Sequence, residues 1–239
     1  MADHRHLNPQ ISDATVTESI EAALRPTAFI ESDHPGVRAF AEHALGDARD
    51  PRERAVRLYY AARDQIRYDP YSLVLTLDGL KASTVLARGR GWCVNKAVLL
   101  AALCRHAGIP ARLGYANVRN HLSTERMRQT MQTDVYYYHG YTAIHLDGQW
   151  VKATPAFNLS LCEKFGLKPL EFDGREDSIY HPFDLAGNRH MEYLHLYGEY
   201  DDVPLADIQR TFAKHYPQMA RLDDGDFEQD VARETVPQG

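Results

Sequence analysis

The residue with the clearest chemical potential is Cys93, which stands where a glycine-broken loop, residues 89–92, runs into an apolar helical segment. Unsatisfied backbone N–H groups at a helix N-terminus favour negative charge, so this position is expected to stabilise a thiolate and to lower the pKa of the thiol. Such a thiolate has most of what a cysteine nucleophile needs. The alternative is a small buried apolar residue, a common fate of a free cysteine.

A thiol that attacks a carbonyl needs a base, and histidine is the usual one because its pKa lies near neutrality. Among 12 histidines, His139 stands out because it lies in a strand-like segment before a hairpin signal, between tyrosines. An isolated histidine in a strand is more often a core residue that bonds a backbone carbonyl. Whether His139 is a catalytic base or a core residue therefore depends on which elements surround it.

The other cysteines and histidines are weaker candidates. Cys104 lies in the middle of a helix and Cys162 in a short apolar segment, so both are expected to be structural. His181, His190 and His195 match no recognised metal-ligand spacing. We therefore expect no metal and no cofactor.

Bulk composition excludes several classes of protein. The net charge of −6 and the pI of about 6.0 argue against a nucleic-acid partner. No apolar segment approaches the roughly 20 residues of a membrane span, and the polar N-terminus lacks a signal-peptide core. Three cysteines in 239 residues indicate a reducing compartment, so a cytoplasmic location is expected. Oligomeric state is left open.

Hydrophobic periodicity predicts elements that could position these groups. Helical patterns cover residues 14–25, 34–45, 51–66 and 80–86, and a helix from Cys93 to about His106 is apolar nearly all round, which indicates a buried central helix. Residues 111–118, 134–146 and 149–153 read as strands, and Asp147-Gly148 is a hairpin signal. Residues 120–131 are polar and are expected to cross the surface.

We therefore predict one α+β domain over residues 1–239. It comprises a helical lead-in (10–88), a catalytic core (89–160), a loop-rich cap (161–200), a C-terminal helix (203–216) and an acidic, frayed tail (222–239).

The order of these pieces resembles the transglutaminase-like superfamily of papain-like thiol enzymes, of the bacterial cysteine protease or hydrolase type. The resemblance covers about residues 66–158. It rests on Gly-Trp-Cys at a helix start, Ala-Gly-Ile-Pro-Ala-Arg at 107–112, His-Gly-Tyr at 139–141 and Leu-Asp-Gly-Gln-Trp-Val at 146–151. It implies a papain/transglutaminase-like fold with a central helix packed on an antiparallel sheet.

The resemblance also implies roles for residues. Cys93 would be the nucleophile and His139 its base. The third member, usually an aspartate after the hairpin, aligns with Thr154, which cannot hold an imidazolium as a carboxylate can. Asn158 is the first alternative, and Asp134 is the second, although strand parity turns an odd offset away from His139 unless the strand is bulged.

The predicted reaction is amide or peptide hydrolysis through a covalent acyl-enzyme. The alternatives are acyl transfer or Dieckmann-type cyclisation of a thioester-linked substrate, and a degenerate, non-catalytic binding module. The substrate would be a peptide, an amide or an acyl thioester. The residues expected to contact it are Trp92 in the site wall, strand tyrosines, and an aperiodic acidic segment at 171–184; we name Trp92, Tyr137, Tyr141, Asp173 and His181.

Overall fold

The structure is a computed structural model, and it describes residues 20–120, 123–179, 185–187, 191–219 and 225–235. The helical lead-in is present as α1 (Pro35–Leu45) and α2 (Pro51–Asp64). Each begins with proline at its first position, where the missing N–H costs nothing. The Asp50 carboxylate caps α2 by accepting from Glu53 N at 3.0 Å.

The segment that leads to Cys93 is made of short pieces. Strand β1 (Arg67–Tyr68) pairs in parallel with β2 (Arg90–Gly91), and between them lie a 3-10 turn (Pro70–Ser72), α3 (Leu77–Leu80) and α4 (Ala82–Arg88). The single helix expected here is two helices, because Lys81 adopts an extended conformation between them. The β1–β2 pair joins the lead-in to the start of the central helix.

The central helix is α5 (Cys93–His106), with the bounds that periodicity predicts. Every residue from 93 to 105 is buried, which agrees with its apolar character all round. Since α5 packs on α1, α2 and α4 on one side and on the sheet on the other, it forms the middle of the core.

The sheet has four antiparallel strands: β3 (Ala111–Asn120), β4 (Val135–Leu146), β5 (Gln149–Ala153) and β6 (Met191–Tyr200). Their order is β5-β4-β3-β6. Asp147 and Gly148 both have positive φ, 49° and 81°, as a two-residue hairpin turn requires. The α+β class and the helix-on-sheet arrangement are confirmed.

Three elements differ from the sequence-based expectation. The polar excursion contains α6 (Glu125–Met131), the cap contains β6, and the tail contains α9 (Phe227–Thr235). Strand β6 is an edge strand with two register shifts and exposed Leu194 and Leu196, so it has no clean alternation. Helix α9 is ordered because Phe227 and Val231 are buried.

The remaining helices are α7 (Leu159–Phe165) and α8 (Leu205–His215). Among the described helices, none has the length and apolar character needed to cross a bilayer.

Candidate active site

The start of α5 and the middle of β4 approach each other unusually closely at Gly140. A Cβ placed on Gly140 would come within 2.9 Å of Val94 Cα, a distance that real Cβ atoms essentially never show. Glycine therefore allows the strand to reach the first turn of α5. The Thr142 hydroxyl donates to Ala97 O at 3.0 Å and holds the same pair of elements one turn further on. The close approach brings the backbone N–H of Gly140 to the sulfur of Cys93.

A bulge in β4 sets the direction of His139. Ala116 pairs with His139 and Val118 pairs with Tyr136, so three residues of β4 span two of β3. Tyr138 takes up the extra length with a φ of 54°, which is unusual for a bulky residue. As a result, Tyr136 and His139 both face the cavity that Cys93 lines, although they are three residues apart.

Tyr216, just after α8, holds the bulged segment in place. Its hydroxyl donates to Val135 O at 2.7 Å and accepts from Tyr137 N at 2.7 Å. Strand β5 pairs only with residues 142–146 of β4, so it does not reach these two backbone groups, and satisfying them stabilises the irregular strand. Tyr216 thereby contributes to the position of His139 from a helix remote in sequence.

Burial dominates the pKa of the Cys93 thiol. Burial raises the pKa of Cys93 to about 11, while backbone N–H groups of Gly140, Val94 and Cys93 itself act in the opposite direction. The expectation that the helix start lowers the net thiol pKa is therefore wrong, although the N–H groups act with the expected sign. Burial also raises the pKa of Cys104 and of Cys162, to about 12 and 11.

Cys93 and His139 line one small cavity of about 30 Å³. Both side chains are almost buried, at 5% and 4% exposure. The rest of the wall is aromatic and aliphatic, and it contains three methionines from two parts of the chain. The aromatic members are Tyr68, Trp92, Tyr136, Tyr137, Phe212 and Tyr216, and the aliphatic ones are Pro70, Leu73, Met127, Met131 and Met219. The nucleophile and base candidates thus share a small, apolar site.

The three candidates for the third position have different surroundings. The Asn158 side chain accepts from Tyr68 N at 2.9 Å and donates to Ser160 Oγ at 2.8 Å, so it ties β1 to the start of α7. The Asp134 carboxylate is half-exposed and ion-paired with Arg119 at 3.0 Å. The bulge that Asp134 needed to reach His139 is present, but this carboxylate faces Arg119.

Thr154 is the third-position candidate on the strand side of His139. It follows Ala153, the residue that pairs with Thr142 of β4, and its side chain is buried. The Tyr193 ring of β6 lies edge-on to His139 with centroids 6.4 Å apart, and its hydroxyl donates to Ile179 O at 2.5 Å. The role of each candidate stays a prediction.

The expected substrate-contacting residues fall in three places. Trp92 and Tyr137 line the cavity. Tyr141 is not part of the cavity wall. Its ring packs against Gly114, where an added Cβ would lie 2.0 Å from the ring. Asp173 is exposed and caps its own turn by accepting from Arg175 N at 2.8 Å. His181 lies outside the described residues.

Metal ligation finds no support in the described part of the chain. Within it, no cluster of three histidine, cysteine or acidic side chains could hold an ion. His195 has its ring against Tyr197, with centroids 4.7 Å apart, and His181 and His190 lie outside the described residues.

Sequence reasoning missed four residues that shape the site. Gly140 carries a usable signal, since it directly follows His139 and a glycine inside a strand often marks a close backbone approach. Tyr216, Met127 and Met131 carry no local signal, because their relation to the site is set by tertiary packing alone.

Comparison with known proteins gives a family match and distant structural relatives. The family model of the transglutaminase-like superfamily matches residues 38–155 of this chain. No curated protein matches the chain. A candidate cysteine protease from Cytophaga hutchinsonii is 17% identical with a TM-score of 0.45 over 80% of this chain and 55% of its own. A candidate protease from Parabacteroides distasonis is 13% identical with a TM-score of 0.36 over 66% and 35%.

This chain thus spans about half the length of the first of those structures and about a third of the second. The family match covers the β1–β2 lead-in, the Cys93 helix, the His139 strand and the hairpin that follows it. Through residues 38–155, the chain belongs to the transglutaminase-like superfamily.

Proposed function

We propose that this chain is a cysteine-dependent enzyme that acts on an amide or acyl bond through a covalent acyl-enzyme, with amide or peptide hydrolysis as its reaction. One observation carries the proposal. The Cys93 sulfur lies at the N–H of Gly140, the residue after His139, and Cys93 and His139 line the same cavity. Membership of a superfamily of thiol enzymes supports the same chemistry.

The reaction proceeds in two steps that use the same two side chains. Cys93 Sγ forms a bond to the carbonyl carbon while its proton passes to His139, and the intermediate then collapses with loss of the C–N bond. His139 gives the proton to the departing amine. Water next attacks the thioester and the S–C bond breaks, which releases the carboxylic acid and restores the thiol. The backbone N–H of Cys93, at the positive end of α5, is the first candidate donor to the oxyanion.

Because burial raises the pKa of Cys93 to about 11, the starting state is a neutral thiol. His139 therefore removes the proton during the attack and not beforehand. The three N–H groups near the sulfur favour the partial negative charge that the sulfur carries as its proton leaves, and desolvation makes such dipoles more effective.

The second candidate is acyl transfer, with cyclisation of a thioester-linked substrate as a special case. The apolar wall of the cavity favours it, because that wall offers few polar groups to hold an attacking water. The same covalent intermediate serves both candidates, and the acceptor distinguishes them.

The test is to mix the full chain with a library of peptidyl aminomethylcoumarins and to follow the release of the fluorophore. Intact-mass measurement after an acid quench should show one acyl group on Cys93. Cys93→Ala should abolish the adduct, and His139→Gln should slow its formation by about 10²- to 10⁴-fold. Cys104→Ala, on the same helix but away from the cavity, is the matched control. Wild-type acylation of Cys93→Ala would contradict the proposal, and no adduct with any member would favour a non-catalytic binding module.

A further inference from the structure

The wall around Cys93 and His139 carries information about the substrate. We propose that the acyl group accepted by Cys93 is uncharged and apolar, with an aliphatic or aromatic chain directly beside the reacting carbonyl. This inference rests on the proposed acyl-enzyme chemistry and names the class of acyl donor for that site.

The charge of the wall supports this assignment. Among the described residues that line the cavity, none is aspartate, glutamate, lysine or arginine. Met127, Met131, Phe212 and Tyr216 are all buried there. A carboxylate or ammonium that enters such a space loses its water and meets no permanently charged side chain, whereas an apolar chain gains by leaving water.

The size and composition of the cavity support it as well. A volume of about 30 Å³ holds roughly two water molecules, so a substrate chain must displace side chains. Methionine is suited to this, because its unbranched side chain has three rotatable bonds and adapts to irregular shapes. Met127 and Met131 come from α6, while Met219 and Leu73 are only half-buried and form the rim.

The simplest probes are p-nitrophenyl esters. Cys93 Sγ forms the S–C bond, the C–O bond breaks, p-nitrophenolate leaves, and the thiol proton passes to His139. The release of one equivalent of p-nitrophenolate then reports acylation without any assumption about the natural leaving group.

The experiment compares the acylation rates of the full chain with p-nitrophenyl acetate, butanoate and hexanoate, and with mono-p-nitrophenyl succinate. Each buried CH₂ is worth about fourfold in affinity, so hexanoate, with two more of them, should react about fifteenfold faster than butanoate. The succinate ester has the length of butanoate with a terminal carboxylate, and it should react at least about tenfold more slowly than butanoate. Intact mass and Cys93→Ala establish that the measured burst belongs to Cys93.

Two outcomes separate this inference from the function on which it rests. If Cys93 is acylated but the succinate ester reacts as fast as butanoate, the apolar specificity is overturned and the thiol chemistry stands. If no ester acylates Cys93, the proposed function itself is contradicted.

Variants test whether this wall is the one that matters. Met131→Ala should move the preferred chain length upward, from hexanoate towards octanoate, while Met131→Leu should keep the wild-type order. Met219→Ala, at the half-buried rim, repeats the test should the deeper variant fold poorly. An unchanged order of chain lengths in Met219→Ala and in folded Met131→Ala would overturn the assignment of the wall.

Discussion

Cys93 and Lys96 are both buried in the first turn of α5, but they face surroundings of opposite polarity. The Cys93 sulfur lies among backbone N–H groups. Lys96, which is fully buried, donates from Nζ to Arg63 O at 2.8 Å and to Ile66 O at 2.5 Å, at the C-terminal end of α2. Helix termini leave N–H groups at one end and C=O groups at the other, so each side chain meets dipoles that suit its charged form.

Burial opposes the charged form on both sides: it raises the pKa of Cys93 and lowers the pKa of Lys96. The two differ in what lies beyond them. Cys93 shares a cavity with His139, whereas the Lys96 hydrogen bonds given above end on two carbonyls that join α5 to α2. Lys96 therefore acts as a structural donor between α5 and α2, and Cys93 is the residue for which we propose a chemical role.

Lys96→Met should give the largest loss of stability. It removes the Nζ donor and leaves the carbonyls of Arg63 and Ile66 buried without that hydrogen bond. We expect the free energy of unfolding to fall by about 3 kcal/mol. Urea denaturation followed by circular dichroism measures it. Lys81→Met is the control, because the Lys81 ion pair with Asp78 is at the surface and its loss should cost less than about 1 kcal/mol. If Lys96→Met were as stable as wild type, the structural role of Lys96 would be contradicted.

Wild type and Lys96→Met should also differ in how the free energy of unfolding depends on pH. The pKa of Lys96 is lowered in the folded state from 10.5, so between the folded value and 10.5 the unfolded chain binds more protons. The contribution of Lys96 to stability therefore rises with pH through that window, and Lys96→Met should lack this rise.

Gly140→Ala should lower the catalytic rate at Cys93, with a free-energy effect comparable to the stability loss in Lys96→Met. The new Cβ would lie 2.9 Å from Val94 Cα, so β4 and the start of α5 must separate. A displacement on the order of 1 Å costs about a hundredfold in rate, and we expect that loss in kcat/KM for the best p-nitrophenyl ester. Gly36→Ala, where the nearest atoms would lie at 3.4 Å in His34, is the matched control and should keep wild-type kcat/KM. Full activity of Gly140→Ala would show that the close approach is not needed.

Much of this architecture follows from local pattern, and the exceptions have a common physical cause. The bounds of α5 and of β5 agree with the sequence-based prediction because the apolar periodicity and the Asp147-Gly148 turn are local signals. Strand β6 and helices α6 and α9 owe their order to partners distant in sequence. Asp230 in α9, for example, accepts from the Tyr71 hydroxyl at 2.8 Å and from Arg126 Nε at 2.9 Å.

The site divides in the same way. Cys93 and His139 are visible in the sequence because each stands at a recognisable junction. The net rise in the pKa of the Cys93 thiol could not be predicted from the sequence. It depends on how Phe212 and Tyr216 of the C-terminal part and helix α6 cover the cavity. Burial of this kind is a property of the folded chain and outweighs the local effect of the helix start.

The reactivity of Cys93 towards iodoacetamide should follow from this pKa. With a pKa of about 11 in place of 9.0, the thiolate fraction at pH 7.5 is roughly a hundredfold lower than that of a free thiol. We expect the alkylation rate of the free protein to keep rising with pH towards 11 and not to level off near 9. Peptide mass spectrometry of samples quenched at intervals gives the rate for each cysteine. A plateau below pH 8 would show that the resting state is a thiolate, contrary to the neutral thiol inferred above.

The smallest effect is expected at the third position, and it decides what orients His139. Thr154 lies on the β5 side of His139 and beside Tyr193, so Thr154→Ala should lower kcat/KM by about tenfold, with most of it restored in Thr154→Ser. Asn158→Ala should act on stability, by about 1 kcal/mol, because it removes the acceptor of Tyr68 N. Asp134→Ala should leave kcat/KM within about twofold, since its carboxylate is ion-paired with Arg119 at the surface. A fall of a hundredfold or more in either of the last two variants would identify that residue as the partner of His139 and displace Thr154.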